Sequence, residues 1–325
     1  MHFLRTSPFF RSQRRGRWRW PWLLLGLLVS AITFAVALFA VANLFTLLLK
    51  SIDPSLAKEF LDSEEQGTTP LMFSLHLLLV GIPFWVAAMV GSLVQGRSIW
   101  SLVTPLRSFR WGLAGKTVLL VSSLMIALQM IPIPGTGHIV PFLQFTGFRV
   151  EHAVWFLPVL FFLLLQTSGE EAFFRGYLMR QLGAVTRVWW IAPAVVVAVF
   201  TSGHIGNDDM SENLGVFIPL FVVGELLVIY LLMRSGGMEI PFVLHLLNNA
   251  SIFLFVAEKG TQSNDLTLWV FAEAQDEAIN RARDTLALVY YLVFAALVLL
   301  AFCWRRSPFY VPPMAEQDGA DQPAT

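Results

Sequence analysis

Two glutamates and an arginine follow an apolar run that is long enough to enter a membrane. Glu170, Glu171 and Arg175 lie within six residues of one another, directly after the apolar segment 154–165. An ionised side chain at membrane depth costs roughly 2.5 to 3.5 kcal/mol even on the most lenient insertion scale. Three such groups together therefore require partners or a chemical task.

Two histidines in later apolar segments are candidate partners for these charges. His204 ends the segment 189–204, and His245 lies inside the segment 240–257. We count about 1.5 Å of helical rise per residue from the predicted inner end of each helix. On this count, both histidines and Glu170 lie at compatible depths in a bilayer. We expect the three side chains to meet inside a helical bundle, where a carboxylate and imidazoles can activate water for hydrolysis.

Helical geometry gives the two glutamates different roles. Glu171 and Arg175 are four residues apart in the acid-before-base order, so they lie on one face and can pair. Glu170 is rotated from them by about 100° and can point into the bundle. We therefore expect Glu171 and Arg175 to be structural and Glu170 to be the chemical residue. The alternative is that all three charges form one buried network.

Two amides follow the later histidine at helical spacing. His245 and Asn249 are four residues apart, which places an imidazole and an amide N–H on one helix face. A donor in that position can stabilise a developing oxyanion. Asn248, three residues after His245, competes for the same role on spacing alone.

The elements that position these residues are membrane helices, as the composition indicates. Of 325 residues, 56% are hydrophobic and only 14% are charged, whereas soluble domains are about 25% charged. The formal net charge is zero, which gives no sign of a nucleic-acid partner, and the single cysteine excludes a disulfide within the chain. We expect an all-α polytopic bundle of about eight transmembrane helices. Both termini are expected in the cytoplasm, because basic residues fall on every predicted inner loop.

The apolar segments divide the chain into five parts. We expect a basic cytoplasmic tail (1–20), three N-terminal transmembrane helices (21–151), a catalytic core of four helices (152–257), an outer loop with the last transmembrane helix (258–304) and a disordered tail (305–325). Within the outer loop, the segment from Leu266 to Arg281 has the pattern of an amphipathic surface helix.

Three motifs in this order resemble those of the CPBP family, which groups CAAX prenyl proteases with bacteriocin-processing and immunity (Abi-type) proteins. The motifs are Glu-Glu-x-x-x-Arg from Glu170, Phe-x-x-x-His from Phe200 and His-x-x-x-Asn from His245, each on its own apolar segment. They span about 154–257, roughly a third of the chain. The three N-terminal helices and the last helix lie outside the resemblance.

This resemblance implies an intramembrane, glutamate-dependent endopeptidase. It implies that Glu170 and His204 activate water and that His245 and Asn249 stabilise the oxyanion. Glu171 and Arg175 complete the first motif.

Two mechanisms fit these residues. In the metal-free mechanism, Glu170 is the general base and no cofactor is required. In the other, Glu170, His204 and His245 resemble the two-histidine, one-carboxylate ligand set of catalytic zinc sites. The zinc mechanism leaves no separate general base unless Glu171 breaks away from Arg175. We therefore favour the metal-free reaction.

The expected substrate is a membrane-associated peptide, either lipidated or of the bacteriocin or signal type. The expected partners are this peptide and the lipid bilayer, with no nucleic acid, and the expected location is the inner membrane of a bacterial cell. The alternative function is a transporter or a non-catalytic membrane scaffold that uses the same buried Glu/His cluster. A simple proton relay does not require Glu170 beside an independently paired Glu171, which favours the peptidase.

Overall fold

The computed structural model describes most of the apolar part of the chain. The basic tail predicted for 1–20 and the second half of the C-terminal tail lie largely outside it. The described residues are 17, 19–62, 69–104, 108–129, 143–186, 188–205, 214–258, 266–271 and 277–313.

Helices dominate the described residues, and the predicted all-α membrane bundle is confirmed. The helices are α1 (Trp20–Ile52), α2 (Pro54–Asp62), α3 (Pro70–Val94), α4 (Trp100–Val103), α5 (Trp111–Gln129), α6 (Val150–Glu171), α7 (Arg180–Val185), α8 (Ile191–Ser202), α9 (Leu214–Ser235), α10 (Glu239–Ala250) and α11 (Glu277–Cys303).

Five of the described helices are long and apolar enough to cross a membrane. They are Trp20–Ile52, Pro70–Val94, Trp111–Leu128, Val150–Val185 and Leu214–Ser235. The other three predicted spans correspond to shorter apolar helices, Ile191–Ser202, Glu239–Phe255 and Leu288–Cys303. The number of crossings and the side on which each terminus lies stay predictions.

The surface of the bundle is apolar. Along α1, Val36 and Leu47 are exposed, and Phe39 shows 71% of its surface. Soluble proteins rarely expose contiguous apolar patches of this extent, whereas lipid-facing helices require them. The protein is a multi-pass integral membrane protein.

Local sequence signals set the ends of α3, which packs beside α6. The Oγ1 atom of Thr69 accepts a hydrogen bond from the backbone N–H of Met72 at 3.3 Å, and Pro70 occupies the first helical position. Both are common N-terminal features of helices. At the other end, Gly96 adopts φ +69°, the left-handed conformation that commonly ends a helix.

The motif helix is interrupted by a π-helical segment. It runs from Val150 to Val185, with π-type geometry over Ala172–Met179, directly after Glu171. Such π-segments inside α-helices are frequently found at functional sites. Arg175 lies inside this segment.

Small residues let α3 and α6 approach closely. A Cβ atom added to Gly169 would lie 2.6 Å from the carbonyl oxygen of Gly81, and one added to Gly81 would lie 2.7 Å from the Cα of Gln166. Small residues at such crossings allow membrane helices to pack backbone against backbone. This contact holds the end of α6, which carries Glu170, against α3.

A small sheet replaces part of the predicted outer-loop helix. Strand β3 (Trp269–Phe271) lies between β1 (Leu143–Phe145), to which it is antiparallel, and β2 (Val256–Glu258), to which it is parallel. The prediction of a surface helix from Leu266 to Arg281 is therefore wrong for its first part, and helix α11 begins only at Glu277. Pairing with two distant strands outweighs the local helical pattern.

The start of the predicted disordered tail packs against the bundle. Arg234 donates a hydrogen bond from Nε to the carbonyl oxygen of Val311 at 3.0 Å, and its guanidinium lies over the ring of Tyr310. Val311 is buried. Residues 305–313 thus differ from the prediction, and 314–325 lie outside the described residues.

Candidate active site

Both glutamates of the first motif are buried at the end of α6. Glu170 is 5% exposed and Glu171 is fully buried. Glu171 forms an ion pair with Arg175, with its Oε1 atom 2.9 Å from Nη1. The predicted pair is present, and Arg175 is itself 1% exposed.

A third buried glutamate, which the sequence analysis missed, shares this arginine. Glu225 of α9 forms an ion pair with Arg175 through Nη2, and the Cζ atom of Arg175 lies 4.6 Å above the ring centre of Phe200. The sequence feature that could have revealed Glu225 is that it is the single acid within the apolar segment 214–233. Arg175 therefore joins α6, α8 and α9.

His245 lies between the two motif glutamates. Its Nδ1 atom is 2.9 Å from Oε1 of Glu171, and its Nε2 atom is 3.4 Å from Oε2 of Glu170. Because the carboxylate of Glu171 can only accept, Nδ1 carries the proton of this hydrogen bond. Glu171 is thus more than a partner of Arg175, since it also fixes the orientation of the His245 ring.

An amide chain connects Glu170 to the third motif. Gln166 donates from Nε2 to Oε1 of Glu170 at 2.7 Å and accepts at Oε1 from Nδ2 of Asn249 at 3.3 Å. Gln166 precedes Glu170 by one helical turn, but the sequence analysis missed it because it is uncharged. Asn248 is exposed and donates to Oδ1 of Asn249, so Asn249 is the amide that faces the cluster.

His204 joins the cluster through aromatic rings. Its Nδ1 atom is 2.8 Å from the carbonyl oxygen of Phe200, and its ring centre lies 4.6 Å from that of Phe200 and 4.9 Å from that of Phe221. Phe200 also lies near His245, and the centres of these two rings are 5.8 Å apart. Phe200, the first residue of the second motif, thus lies between the two histidines.

The buried cluster holds more acids than bases. With three ionised glutamates and the charged guanidinium of Arg175, it carries a net charge of −2 before His245 is counted. Isolated net charge is costly in a low-dielectric interior. Neutrality requires two protons shared among the carboxylates and the imidazole, so the cluster can both accept and donate protons.

The predicted zinc ligand set is not assembled. Across the ranges described above, no three His, Cys, Asp or Glu side chains are grouped so that they could hold a metal ion. Nδ1 of His245 faces Glu171, and Nδ1 of His204 faces a backbone carbonyl. The other nitrogen of His245, Nε2, faces Oε2 of Glu170 at 3.4 Å.

Comparison with known proteins identifies this region. Residues 152–251 match the family model described as type II CAAX prenyl endopeptidase Rce1-like. This region is similar to that family of membrane endopeptidases. All three motifs, with Glu170, His204 and His245, fall inside the matched residues, and the match supports a membrane protease.

A curated protein is similar to a longer part of the chain. A Bacillus subtilis (strain 168) protein described as uncharacterized protein YyaK is 26% identical over 232 residues, which are 70% of this chain and 74% of the relative. No solved structure matches the chain.

Proposed function

We propose that this protein is an intramembrane endopeptidase in which Glu170 and His204 activate water for attack on a peptide bond. The observation that carries the proposal is the position of His245, which contacts Glu170 and Glu171 inside a buried cluster built from all three motifs. A structural ion-pair network needs only Glu171, Arg175 and Glu225. The additional acid–base pair, Glu170 and His245, is suited to moving protons.

In the proposed reaction, Glu170 is the general base. Its Oε1 atom is held by Gln166, whereas Oε2 makes no hydrogen bond and faces His245. Glu170 takes a proton from water as the water oxygen bonds to the scissile carbonyl carbon. The same proton then passes to the departing amide nitrogen as the C–N bond breaks, so the carboxylate is regenerated.

The remaining polar residues stabilise this reaction in the proposal. His204 acts with Glu170 on the water, and His245 with Asn249 faces the oxygen that becomes negative in the tetrahedral intermediate. The support for this assignment is that Asn249 and Glu170 share one partner, Gln166. A single amide therefore fixes the distance between the base and the oxyanion donor.

We propose that the reaction requires no metal. The donors around Glu170 do not assemble a zinc site among the described residues, and we assign no step to a metal. Elemental analysis of purified, active protein checks this: stoichiometric zinc that is lost in His204→Ala would contradict the metal-free mechanism.

The proposed substrate is a peptide anchored in or at the membrane. The cluster lies within apolar helices, so the scissile bond must enter from the bilayer or its surface. The matched family model names prenylated CAAX substrates, and we include lipidated peptides and peptides of the bacteriocin or signal type. We place the protein in the bacterial inner membrane.

Cleavage by purified protein tests this proposal. The full chain, reconstituted in liposomes, is incubated with fluorescent peptides that differ only in a C-terminal farnesyl group. We expect cleavage by wild-type protein and none by Glu170→Gln. Equal cleavage by both proteins would overturn the assignment of Glu170.

A further inference from the structure

Asn248 is the exposed end of a chain of side-chain amides that leads to the proposed general base. It lies on α10 beside Asn249, which is half-buried. Nδ2 of Asn248 is 3.3 Å from Oδ1 of Asn249, and Nδ2 of Asn249 is 3.3 Å from Oε1 of Gln166. Nε2 of Gln166 is in turn 2.7 Å from Oε1 of Glu170. Of these four residues, only Asn248 has no role in the proposed reaction.

The carboxylate of Glu170 sets the direction of every hydrogen bond in this chain. As a general base it is ionised before the reaction and can only accept, so Gln166 turns its NH2 group toward Glu170 and its oxygen toward Asn249. An amide oxygen also only accepts, so Asn249 presents its NH2 group to Gln166 and its oxygen to Asn248. Asn248 is therefore the donor that the oxygen of Asn249 requires.

This direction leaves one N–H of Asn249 for the reaction. Its NH2 group has two N–H bonds, and one of them is given to Oε1 of Gln166. The other is the donor that the proposed mechanism assigns to the oxyanion. If the amide of Asn249 turned over, its oxygen would take the place of this donor and would repel the negative charge. Gln166 opposes such a turn from one side, and Asn248 opposes it from the other.

A packing role does not explain the contact of Asn248. Its side chain is exposed, unlike those of Gln166 and Glu170. Exposed substitutions usually change stability little, and alanine is a better helix former than asparagine. Replacing Asn248 by alanine should therefore leave α10 intact, so a loss of activity would report the lost bond to Asn249.

We propose that Asn248 is a positioning residue that holds the amide of Asn249 with its free N–H toward the reacting oxygen. This role rests on the proposed peptidase mechanism and extends it by one residue. In the third motif, His-x-x-x-Asn, Asn248 occupies a position that the motif leaves open. The motif therefore does not specify it, and only its hydrogen bond shows its role.

Cleavage kinetics of the full chain in liposomes test this role. Asn248→Ala removes the donor, and we expect kcat to fall by roughly 3- to 10-fold, the effect of one lost hydrogen bond, with KM nearly unchanged. Ile252→Ala is the matched control, because Ile252 follows Asn248 by four residues and is 48% exposed. It should keep the wild-type kcat.

Asn248→Asp gives a signature that a merely structural residue would not. A protonated carboxyl can donate to Oδ1 of Asn249, whereas an ionised carboxylate can only accept and repels that oxygen. The ratio of the variant's kcat to the wild-type kcat should therefore fall as the pH rises, to a value below that of Asn248→Ala. The same ratio for Ile252→Ala should not change with pH.

A spectroscopic readout tests the contact without peptide cleavage. Isotope-labelled asparagine in the full chain gives side-chain NH2 signals in NMR spectra, and the signal that disappears in Asn249→Ala belongs to Asn249. We expect Asn248→Ala to shift this signal and to speed the exchange of its protons with water. Ile252→Ala should leave the signal in place.

Two results would overturn the positioning role. One is a wild type that cleaves the peptide while Asn248→Ala and Asn248→Asp match Ile252→Ala at every pH. The other is an Asn249 signal that is unchanged in Asn248→Ala, whether or not the wild type cleaves. A shifted signal in a protein that cleaves nothing would support the orienting contact and would contradict only the peptidase, so the two proposals fail separately.

Discussion

Nδ1 of His245 lies 2.9 Å from Oε1 of Glu171, which precedes it by 74 residues. This contact makes Glu171 a bridge between Arg175 on its own helix and the imidazole on α10. A carboxylate that holds one nitrogen of a histidine sets the proton on that nitrogen and the direction of the other. Here the other nitrogen faces Glu170.

Glu171→Gln tests this orienting role. The amide keeps the size of the side chain but weakens its bond to the imidazole and its pairing with Arg175. We expect peptide cleavage per folded molecule to fall by roughly 10- to 100-fold, the range that is typical when a residue that orients a metal-binding histidine is lost. Glu239→Gln is the matched control, because Glu239 is equally buried and pairs with Arg110 at 2.8 Å elsewhere on α10. Similar specific activities for the two variants would contradict the orienting role.

Arg175→Ala tests the structural role of the arginine. The substitution leaves Glu171 and Glu225 buried without their shared cation, which should lower the free energy of unfolding by about 3 to 5 kcal/mol. Thermal unfolding followed by size-exclusion chromatography of purified protein measures this loss. An unchanged Tm would show that the arginine does not hold the core together.

Coupling between Arg175 and Glu225 tests the partnership that the sequence analysis missed. We expect the single substitutions Arg175→Ala and Glu225→Ala and their combination to be non-additive by about 0.5 to 3 kcal/mol in unfolding free energy. The reason is that each single change leaves an opposite charge buried, whereas the double change removes both. Additive effects within error would mean that Glu225 and Arg175 do not stabilise each other.

Gly169→Ala tests the close contact that supports Glu170. A Cβ at this position would meet the carbonyl oxygen of Gly81 at 2.6 Å and the ring of Trp85 at 2.9 Å, so α3 and α6 must move apart. We expect a loss of about 1 to 3 kcal/mol in unfolding free energy, accompanied by lower activity. Gly115→Ala is the matched control on α5, where nothing lies within 4 Å, and it should be neutral or stabilising. A Gly169→Ala protein that is as stable and as active as the Gly115→Ala control would show that α3 and α6 do not pack this closely.

Features that depend on local spacing could be predicted from the sequence. The Glu171–Arg175 pair follows from four residues of helix, and the apolar segments follow from composition and length. Glu225 was missed because a single acid in an apolar run has no local partner that shows its role. Gln166 was missed because its importance comes from Asn249, which is 83 residues away.

Two other differences also arise from distant contacts. Trp269–Phe271 forms a strand because it pairs with segments near 144 and 257, which no local pattern reports. Arg97 follows the second predicted transmembrane helix, where the positive-inside rule accounts for a basic residue on an inner loop. Its burial comes from the packing of the bundle around the chain after the turn at Gly96, which the local sequence does not report.

The most direct test compares the peptide termini of membrane proteins in cells that carry wild type or Glu170→Gln at matched levels of folded protein. The variant keeps the size of the side chain and removes the base. We expect new termini that are present only with wild type, which would also identify the substrate. Identical termini with both proteins would contradict the peptidase and favour a transporter or a non-catalytic scaffold built on the same buried cluster.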